Sequence, residues 1–260
     1  TPEELFAQLP LPSTPLLSNQ PYNIFITGVG GTGVITVGAL IGMAAHLEGK
    51  GCCVVDMAGL AQKGGAVVSH LRISQHPEQI HATRVSDGKA DLILGFDLVV
   101  TASLDGLKKI QSNHTQLLVN DYQSITGHFT KNPDYEFPAA GMKADLLQAI
   151  GKNTLLEFLE ATRLATDLMG DSIMTNLFMV GYALQKGWVP VSAAALQEAI
   201  RLNGVAVNEN TTALNWGRLA ATSLDTVKRF ATAAKPVDPD HQISDSLIEI
   251  IERRHHFLTQ

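Results

Sequence analysis

Two glycine-rich stretches contain the residues best suited to chemistry in this 260-residue chain. The first, Gly28–Gly33 (GVGGTG), follows an apolar stretch and precedes a helix-like pattern. At this spacing we expect Gly28 to permit the tight turn after the strand, Gly30 to permit close approach of the backbone to a ligand, and Gly33 to permit close packing of the helix on the sheet. The N-terminus of the following helix offers free N–H groups and the positive end of the helix dipole, so this loop suits a phosphate or another anion.

A carboxylate follows at the distance typical of nucleotide-binding folds. Asp56 closes the second apolar strand, 23 residues after Gly33, where such folds bind a ribose hydroxyl. Because a carboxylate repels phosphate, we place Asp56 at the sugar if a nucleotide binds. The alternative is a strand-to-helix turn that binds no nucleotide.

The second stretch, Gly59–Gly65 (GLAQKGG), comes directly after the second strand. Ligands of α/β folds bind at the carboxyl ends of the strands, so we expect the two loops to lie side by side there. Lys63 would present a cation to a phosphate; alternatively it is a solvated loop lysine. The candidate anion-binding residues are Gly28, Gly30, Gly31, Thr32, Gly33, Gln62, Lys63, Gly64 and Gly65, with Asp56 as a less certain member.

Alternating strand and helix patterns position these loops, and a helical block follows them. The strand candidates are NIFIT (23–27), CCVVDM (52–57), AVVSHLRIS (66–74), residues 90–95 and QLLVN (116–120). CCVVDM has the continuous apolar character of a parallel strand covered on both faces. Residues 32–48 and much of 161–235 show helical spacing. This order predicts an α/β, Rossmann-like fold, with a largely parallel sheet, helices on both faces and a C-terminal helical block.

The proline distribution suggests the domain limits. Five of the eleven prolines lie in residues 1–21, which we interpret as an extended N-terminal linker. Residues 22–235 form the α/β domain, and 236–260 form a connector or helix toward a missing domain. Because the chain begins at Thr1 and not at Met, we expect a piece of a longer chain.

Composition excludes several classes of protein. A net charge of −6 argues against nucleic-acid binding, which requires a basic face. There is no run of 18 apolar residues, so we expect no membrane span. Cys52 and Cys53 are adjacent and point to opposite faces of a strand, so they provide no disulfide, zinc or iron–sulfur ligand set. We expect a cytoplasmic protein.

Several motifs together resemble the gamma domain of 2-oxoacid:ferredoxin oxidoreductases. The resemblance covers about residues 22–232 and is greatest to the fused indolepyruvate ferredoxin oxidoreductase type. Its motifs are GVGGTGV (28–34), D-x-x-GLAQKGG (56–65), SHLRIS (69–74), ADLILGFDLVV (90–100), GDSIMTNLFMVGYALQKGWVPVS (170–192), AI-x-LNG (199–204) and NWGR (215–218).

This resemblance implies one part of an enzyme that oxidatively decarboxylates a 2-oxo acid, such as an aryl pyruvate, to its acyl-coenzyme A. Thiamine diphosphate and iron–sulfur clusters would lie in partner domains or subunits, with ferredoxin as a partner of the whole enzyme. The gamma domain would hold none of these groups, would contribute coenzyme A binding and active-site closure, and would be inactive alone. Self-association into a homo-oligomer is also open.

Two other functions fit the residues. One is an NAD(P)-dependent dehydrogenase domain with Asp56 on the adenosine ribose, although residues 161–235 offer no clear catalytic acid or base. The other is a structural interaction domain whose glycine loops only permit close packing.

Overall fold

The structure, a computed structural model, describes residues 1–58, 65–122, 138–152, 155–234 and 250. Six strands form one sheet in the order β2-β3-β1-β4-β5-β6. Their bounds are β1 Tyr22–Val29, β2 Gly51–Ala58, β3 Ala66–Ser74, β4 Leu92–Gly95, β5 Gln116–Asn120 and β6 Leu156–Leu159.

Ten α-helices accompany the strands in the described residues. They are α1 Pro2–Ala7, α2 Val34–Leu47, α3 Leu98–Thr101, α4 Leu104–Lys109, α5 Ala139–Ile150, α6 Ala161–Met169, α7 Thr175–Gln185, α8 Ala193–Asn203, α9 Val207–Thr222 and α10 Leu224–Ala234. Helices cover both faces of the sheet: α2 and the α6–α10 block pack on one face, and α3–α5 pack on the other. The predicted α/β class, with helices on both faces and a C-terminal helical block, is confirmed.

The sheet is mostly parallel but has one reversed strand. β1, β4, β5 and β6 pair in parallel, whereas β3 is antiparallel to both of its neighbours, β1 and β2. The structure confirms the predicted strand Ala66–Ser74, which is β3. It pairs antiparallel with β2, the strand that precedes it in the chain.

The prediction for CCVVDM is wrong in one respect. This segment lies in β2, which is an edge strand that is only partly buried, and not a parallel strand covered on both faces. A short apolar run has the same appearance in either setting, because its periodicity does not reveal which neighbours it will have.

The central strand β1 is buried from Ile24 to Gly28 and ends beneath the start of α2. A Cβ atom on Gly28 would lie 2.4 Å from Cγ2 of Val34, so this glycine permits close packing of α2 on the sheet. Gly31 and Gly33 form the turn instead, with φ of +86° and +85°, a conformation that favours glycine. From the sequence we expected the opposite, with Gly28 in the turn and Gly33 permitting the close packing.

The first 21 residues, which the sequence predicted as an extended linker, contain one short helix. Pro2–Ala7 forms α1, because Thr1 caps its N-terminus and Pro2 is preorganised for the first turn. Phe6 packs edge-on against Trp216, with ring centroids 5.1 Å apart. The Pro10 carbonyl accepts hydrogen bonds from Gln185 at 2.9 Å and from Arg218 at 3.1 Å. This segment therefore lies against the helical block, while the proposed limits at residues 21 and 235 stay predictions.

His70 on β3 has a structural environment. It is buried, its Nδ1 accepts the Val85 N–H at 3.1 Å, and its ring contacts the buried Phe25 at a centroid distance of 4.9 Å. Burial, reinforced by the positive charge of Lys109, lowers the pKa of His70 below its ordinary value. The neutral imidazole is therefore the form that the fold stabilises.

This lowered pKa predicts a loss of stability in acid. The unfolded chain binds the His70 proton near pH 6.5, whereas the folded chain resists it, so protonation favours unfolding as the pH falls below about 6.5. We expect urea unfolding between pH 7 and pH 5 to show a smaller loss of stability in His70→Gln than in the wild type. His81→Gln, at an exposed histidine, serves as control. Equal pH slopes for His70→Gln and the wild type would contradict the assignment.

Candidate functional site

A crevice lies at the point in the sheet where the strand order reverses, between β1 and β4. From β1 the chain continues toward β2 and β3 on one side, whereas β4 leads to β5 and β6 on the other. Ligands of open α/β sheets bind at this kind of switch point, outside the carboxyl ends of the strands. The crevice has a volume of about 440 Å³ and is lined by Val29, Gly31, Thr32, Phe96, Asp97, Asn120, Tyr122, Thr162, Asp171, Ser172, Ile173, Thr175 and Asn176.

The predicted glycine loop forms one wall of this crevice. The Thr32 hydroxyl donates to the Val29 carbonyl at 2.7 Å, which closes the turn after β1. Gly33 is the N-cap of α2 and has no side chain that could satisfy the N–H groups of the first turn. Those groups and the positive helix end are what a backbone anion site requires.

Asn176 connects this loop to the helical block. Its side-chain amide donates to the Thr32 carbonyl, and its Nδ2 would lie 3.1 Å from a Cβ at Gly33. Asn176 is 5% exposed and lies in the first turn of α7. The position of the loop therefore depends on a helix about 140 residues further along the chain.

Asn120 holds the opposite wall together. Its Nδ2 donates to the Phe96 carbonyl at 3.1 Å and to the Thr162 hydroxyl at 2.8 Å. Its Oδ1 accepts the Thr162 N–H at 3.3 Å and the Tyr122 N–H at 3.4 Å. One buried amide thus joins the ends of β4 and β5 to the start of α6.

The charged groups of the described lining are two carboxylates, which both act as helix caps. Asp97 accepts the Val100 N–H at 2.8 Å at the start of α3, and Asp171 accepts the Ile173 N–H at 2.9 Å. The other polar groups are hydroxyls and amides. Away from the glycine loop, this lining suits a neutral ligand portion with hydroxyl or amide groups better than a second phosphate.

The end of the second glycine stretch lies against the first loop. The Gly30 N–H donates to the Gly65 carbonyl at 2.8 Å. The contact arises because β3 begins beside the end of β1, with Ala66 opposite Val29, and not because β1 and β2 are neighbours. Gln62, Lys63 and Gly64 lie outside the described residues.

The structure does not bring Asp56 beside the glycine loop in the way that a nucleotide fold would. β3 lies between β1 and β2, so Asp56 is exposed on the edge strand, in register with Ser69 and Ile26. Two strand spacings of about 4.8 Å separate it from β1. This topology counts against the ribose role and against the dehydrogenase alternative, both of which assume that the first two strands are neighbours.

Other acidic residues next to the strands have structural partners. Asp121 pairs with Lys143 at 2.5 Å, and Asp91 accepts the Asn23 N–H at 2.7 Å and lies 2.7 Å from His114. Among the described residues, no three His, Cys, Asp or Glu side chains form a group that could hold a metal ion. No helix in those ranges is long and apolar enough to cross a membrane.

Sequence reasoning missed most of the polar residues of the crevice, among them Asn120, Thr162, Thr175 and Asn176. Asn120 could have been found, because it ends the apolar strand QLLVN at the edge where ligands bind. Thr175 and Asn176 are polar residues at the start of the otherwise apolar α7. Thr162 has no comparable signal in the sequence.

Comparison with known proteins adds independent information. A family model described as pyruvate ferredoxin/flavodoxin oxidoreductase matches residues 23–220. The chain is 30% identical over 206 residues to the indolepyruvate oxidoreductase subunit IorB of Pyrococcus horikoshii, a match that covers 78% of this chain and 97% of the relative. The subunit of the same name from Thermococcus kodakarensis is 28% identical over 183 residues, which covers 70% and 86%.

Solved structures share the fold. The pyruvate oxidoreductase subunit PORC from Thermotoga maritima matches with a TM-score of 0.54 and 19% identity, over 77% of this chain and 96% of that chain. The 2-oxoglutarate:ferredoxin oxidoreductase from Magnetococcus marinus matches with a TM-score of 0.55 and 18% identity, over 85% of this chain and 32% of that longer chain. Since the family match extends from the first residues of β1 nearly to the end of α9, the chain belongs to the pyruvate ferredoxin/flavodoxin oxidoreductase family and is one part of an oxidoreductase.

Proposed function

We propose that this chain is the gamma component of a thiamine diphosphate-dependent 2-oxoacid:ferredoxin oxidoreductase and that its crevice helps to bind coenzyme A and to close the active site. An aryl pyruvate is the proposed substrate of the whole enzyme, since the relatives from Pyrococcus and Thermococcus are named indolepyruvate oxidoreductase subunits. Thiamine diphosphate would supply the carbon chemistry and iron–sulfur clusters would transfer electrons, all in other components. Ferredoxin would be the partner of the assembled enzyme.

The observation that carries the coenzyme A proposal is the uncapped start of α2 at the edge of a polar crevice. Backbone N–H groups at Gly33 and the first turn suit a phosphate group of the ligand. The hydroxyl and amide groups around Asn120, Thr162 and Thr175 suit the hydroxyl and amide groups of the pantetheine arm. The Magnetococcus structure contains 2-oxoglutarate, coenzyme A and succinyl-CoA, which supports the ligand class by analogy.

The structural alternative is less well supported. It requires glycine loops that are fully enclosed by packing, whereas Gly31 and Thr32 are exposed and line the crevice. We also propose a cytoplasmic location, which suits the free thiols Cys52 and Cys53.

Calorimetry with coenzyme A tests the ligand assignment. If Lys63 binds a phosphate, we expect Lys63→Ala to weaken binding by about 1–3 kcal/mol, the usual contribution of a charge-assisted hydrogen bond. Lys228→Ala, at an exposed lysine of α10, should bind as the wild type does.

Titration with pantetheine, which carries no phosphate, separates the two halves of the site. Pantetheine should bind more weakly than coenzyme A, and Lys63→Ala should not change its affinity. Unchanged coenzyme A binding by Lys63→Ala would assign the second loop to packing. Complete absence of coenzyme A binding, in the chain and in the assembled enzyme, would contradict the ligand assignment.

A further inference from the structure

One hydroxyl proton in the crevice has no acceptor within the part of the chain that the structure describes. It belongs to Thr162, the second residue of α6, whose half-buried side chain lines the crevice. The hydrogen bonds of the neighbouring Asn120 determine where this proton is directed, because they leave the Thr162 oxygen a single role on the side of Asn120.

The orientation of the Asn120 amide is fixed by backbone groups, whose roles in hydrogen bonding cannot change. The N–H groups of Thr162 and Tyr122 lie 3.3 Å and 3.4 Å from its Oδ1, and the Phe96 carbonyl lies 3.1 Å from its Nδ2. The reversed amide would place a donor against two donors and an acceptor against an acceptor. The amide nitrogen is therefore the group that faces the Thr162 hydroxyl, at 2.8 Å.

The Thr162 oxygen consequently accepts a hydrogen bond from Asn120. On another side it faces the Thr175 hydroxyl, which donates toward it at 3.3 Å while making a shorter bond of 2.6 Å to the Ser172 carbonyl. A hydroxyl has two lone pairs and one proton. Both lone pairs of Thr162 are thus directed at donors, and its proton is what remains for a molecule in the crevice.

We propose that Thr162 determines the specificity of the crevice by donating its hydroxyl proton to a hydrogen-bond acceptor of the bound ligand. The role rests on the proposed function, in which the pantetheine arm of coenzyme A occupies the crevice. The group that Thr162 recognises is then the carbonyl oxygen of one of the two amides in that arm. A carbonyl oxygen only accepts hydrogen bonds, so it matches a hydroxyl that has only its proton to offer.

The carboxylates of the lining favour an amide over a lone carbonyl group. Asp97 and Asp171 each accept one backbone N–H, and carboxylate oxygens have further lone pairs. The described lining therefore offers a donor at Thr162 and acceptors at the two carboxylates. A secondary amide has a counterpart for each, with its carbonyl and its N–H on opposite sides of one planar group. A ligand with N–H groups alone would leave the Thr162 proton unsatisfied, which costs affinity.

Calorimetry on the full 260-residue chain, with coenzyme A and two analogues, tests the assignment. Each analogue has one amide of the pantetheine arm replaced by a carbon–carbon double bond, which keeps the planar shape and removes the carbonyl oxygen. The wild type should bind one of the analogues more weakly than coenzyme A. Thr162→Val keeps the shape of the side chain and removes the hydroxyl. It should reduce that preference for coenzyme A by about three- to tenfold, the usual net contribution of one neutral hydrogen bond.

Further variants separate recognition of the ligand from support of the crevice wall. Thr162→Ser keeps the hydroxyl and should keep the wild-type preference. Thr232→Val makes the same change at an exposed threonine of α10 and should bind all three ligands as the wild type does. If circular dichroism shows that Thr162→Val does not fold, Thr162→Cys gives the same comparison, because a thiol is a weak donor of similar size.

The results distinguish the role of Thr162 from the proposed function. A wall-supporting role alone predicts that Thr162→Val weakens the binding of all three ligands by the same factor, and that result would overturn the specificity role while coenzyme A binding stands. A wild type that binds both analogues as tightly as coenzyme A would overturn it as well. Failure of the wild-type chain and of the assembled enzyme to bind coenzyme A at all would contradict both proposals.

Discussion

Replacing Gly217 with alanine should lower the free energy of unfolding by about 3 kcal/mol or more, near or above the upper end for overpacked cores. The reason is the crossing of α7 and α9. A Cβ on Gly217 would lie 1.8 Å from the Phe178 carbonyl oxygen, and a Cβ on Gly181 would lie 2.0 Å from the Leu214 carbonyl oxygen. Because the obstructing atoms belong to the backbone, a change of side-chain rotamer cannot relieve the clash. The two helices must move apart.

Thermal unfolding provides the measurement. For a chain of this size, 3 kcal/mol corresponds to a fall of roughly 6–12 °C in Tm. Gly141→Ala is the matched control, since Gly141 lies in α5 with no atom within 4 Å of the added Cβ. Alanine there should stabilise the helix by about 0.5–1 kcal/mol. If Gly217→Ala unfolded at the same temperature as Gly141→Ala, the close crossing of α7 and α9 would be contradicted.

The second large effect is expected from Asn120→Ala, with a loss of about 2–4 kcal/mol. The substitution removes the partner of the buried Phe96 carbonyl and of the Thr162 N–H, and each unsatisfied group costs about 1–3 kcal/mol. It also releases the start of α6 from the ends of β4 and β5, which form one wall of the crevice. Stability and coenzyme A affinity should therefore fall together.

Chemical denaturation and calorimetry distinguish the two consequences. Asn210→Ala is a suitable control because Asn210 lies near the surface and, within the described part of the chain, its side chain donates one hydrogen bond, to the Val205 carbonyl. We expect that control to lose about 1 kcal/mol or less and to leave coenzyme A binding unchanged. An Asn120→Ala variant with the stability of Asn210→Ala would show that water replaces the amide and that Asn120 does not hold the wall.

Local patterns predicted the elements near the site well, because each depends on residues close in sequence. The apolar run before Gly28, the glycines at 31 and 33, and the periodicity of α2 together define a strand, a turn and a helix. The strand Ala66–Ser74 was identifiable for the same reason. Its antiparallel pairing with β2 was not, since a strand's own pattern does not specify the direction of its neighbour.

Motifs and short periodicities were enough to predict the glycine loop at a strand end, the α/β class and the family. Which residues share the crevice depends on the tertiary structure. It placed β3 between β1 and β2, which took Asp56 away from the loop, and it brought Gly65 to Gly30. It also brought Asn176 to Thr32 across about 140 residues and joined Thr162 to Asn120. These contacts depend on strand order and helix packing, which are set by the burial of apolar surface over the whole chain and are not encoded in any single segment.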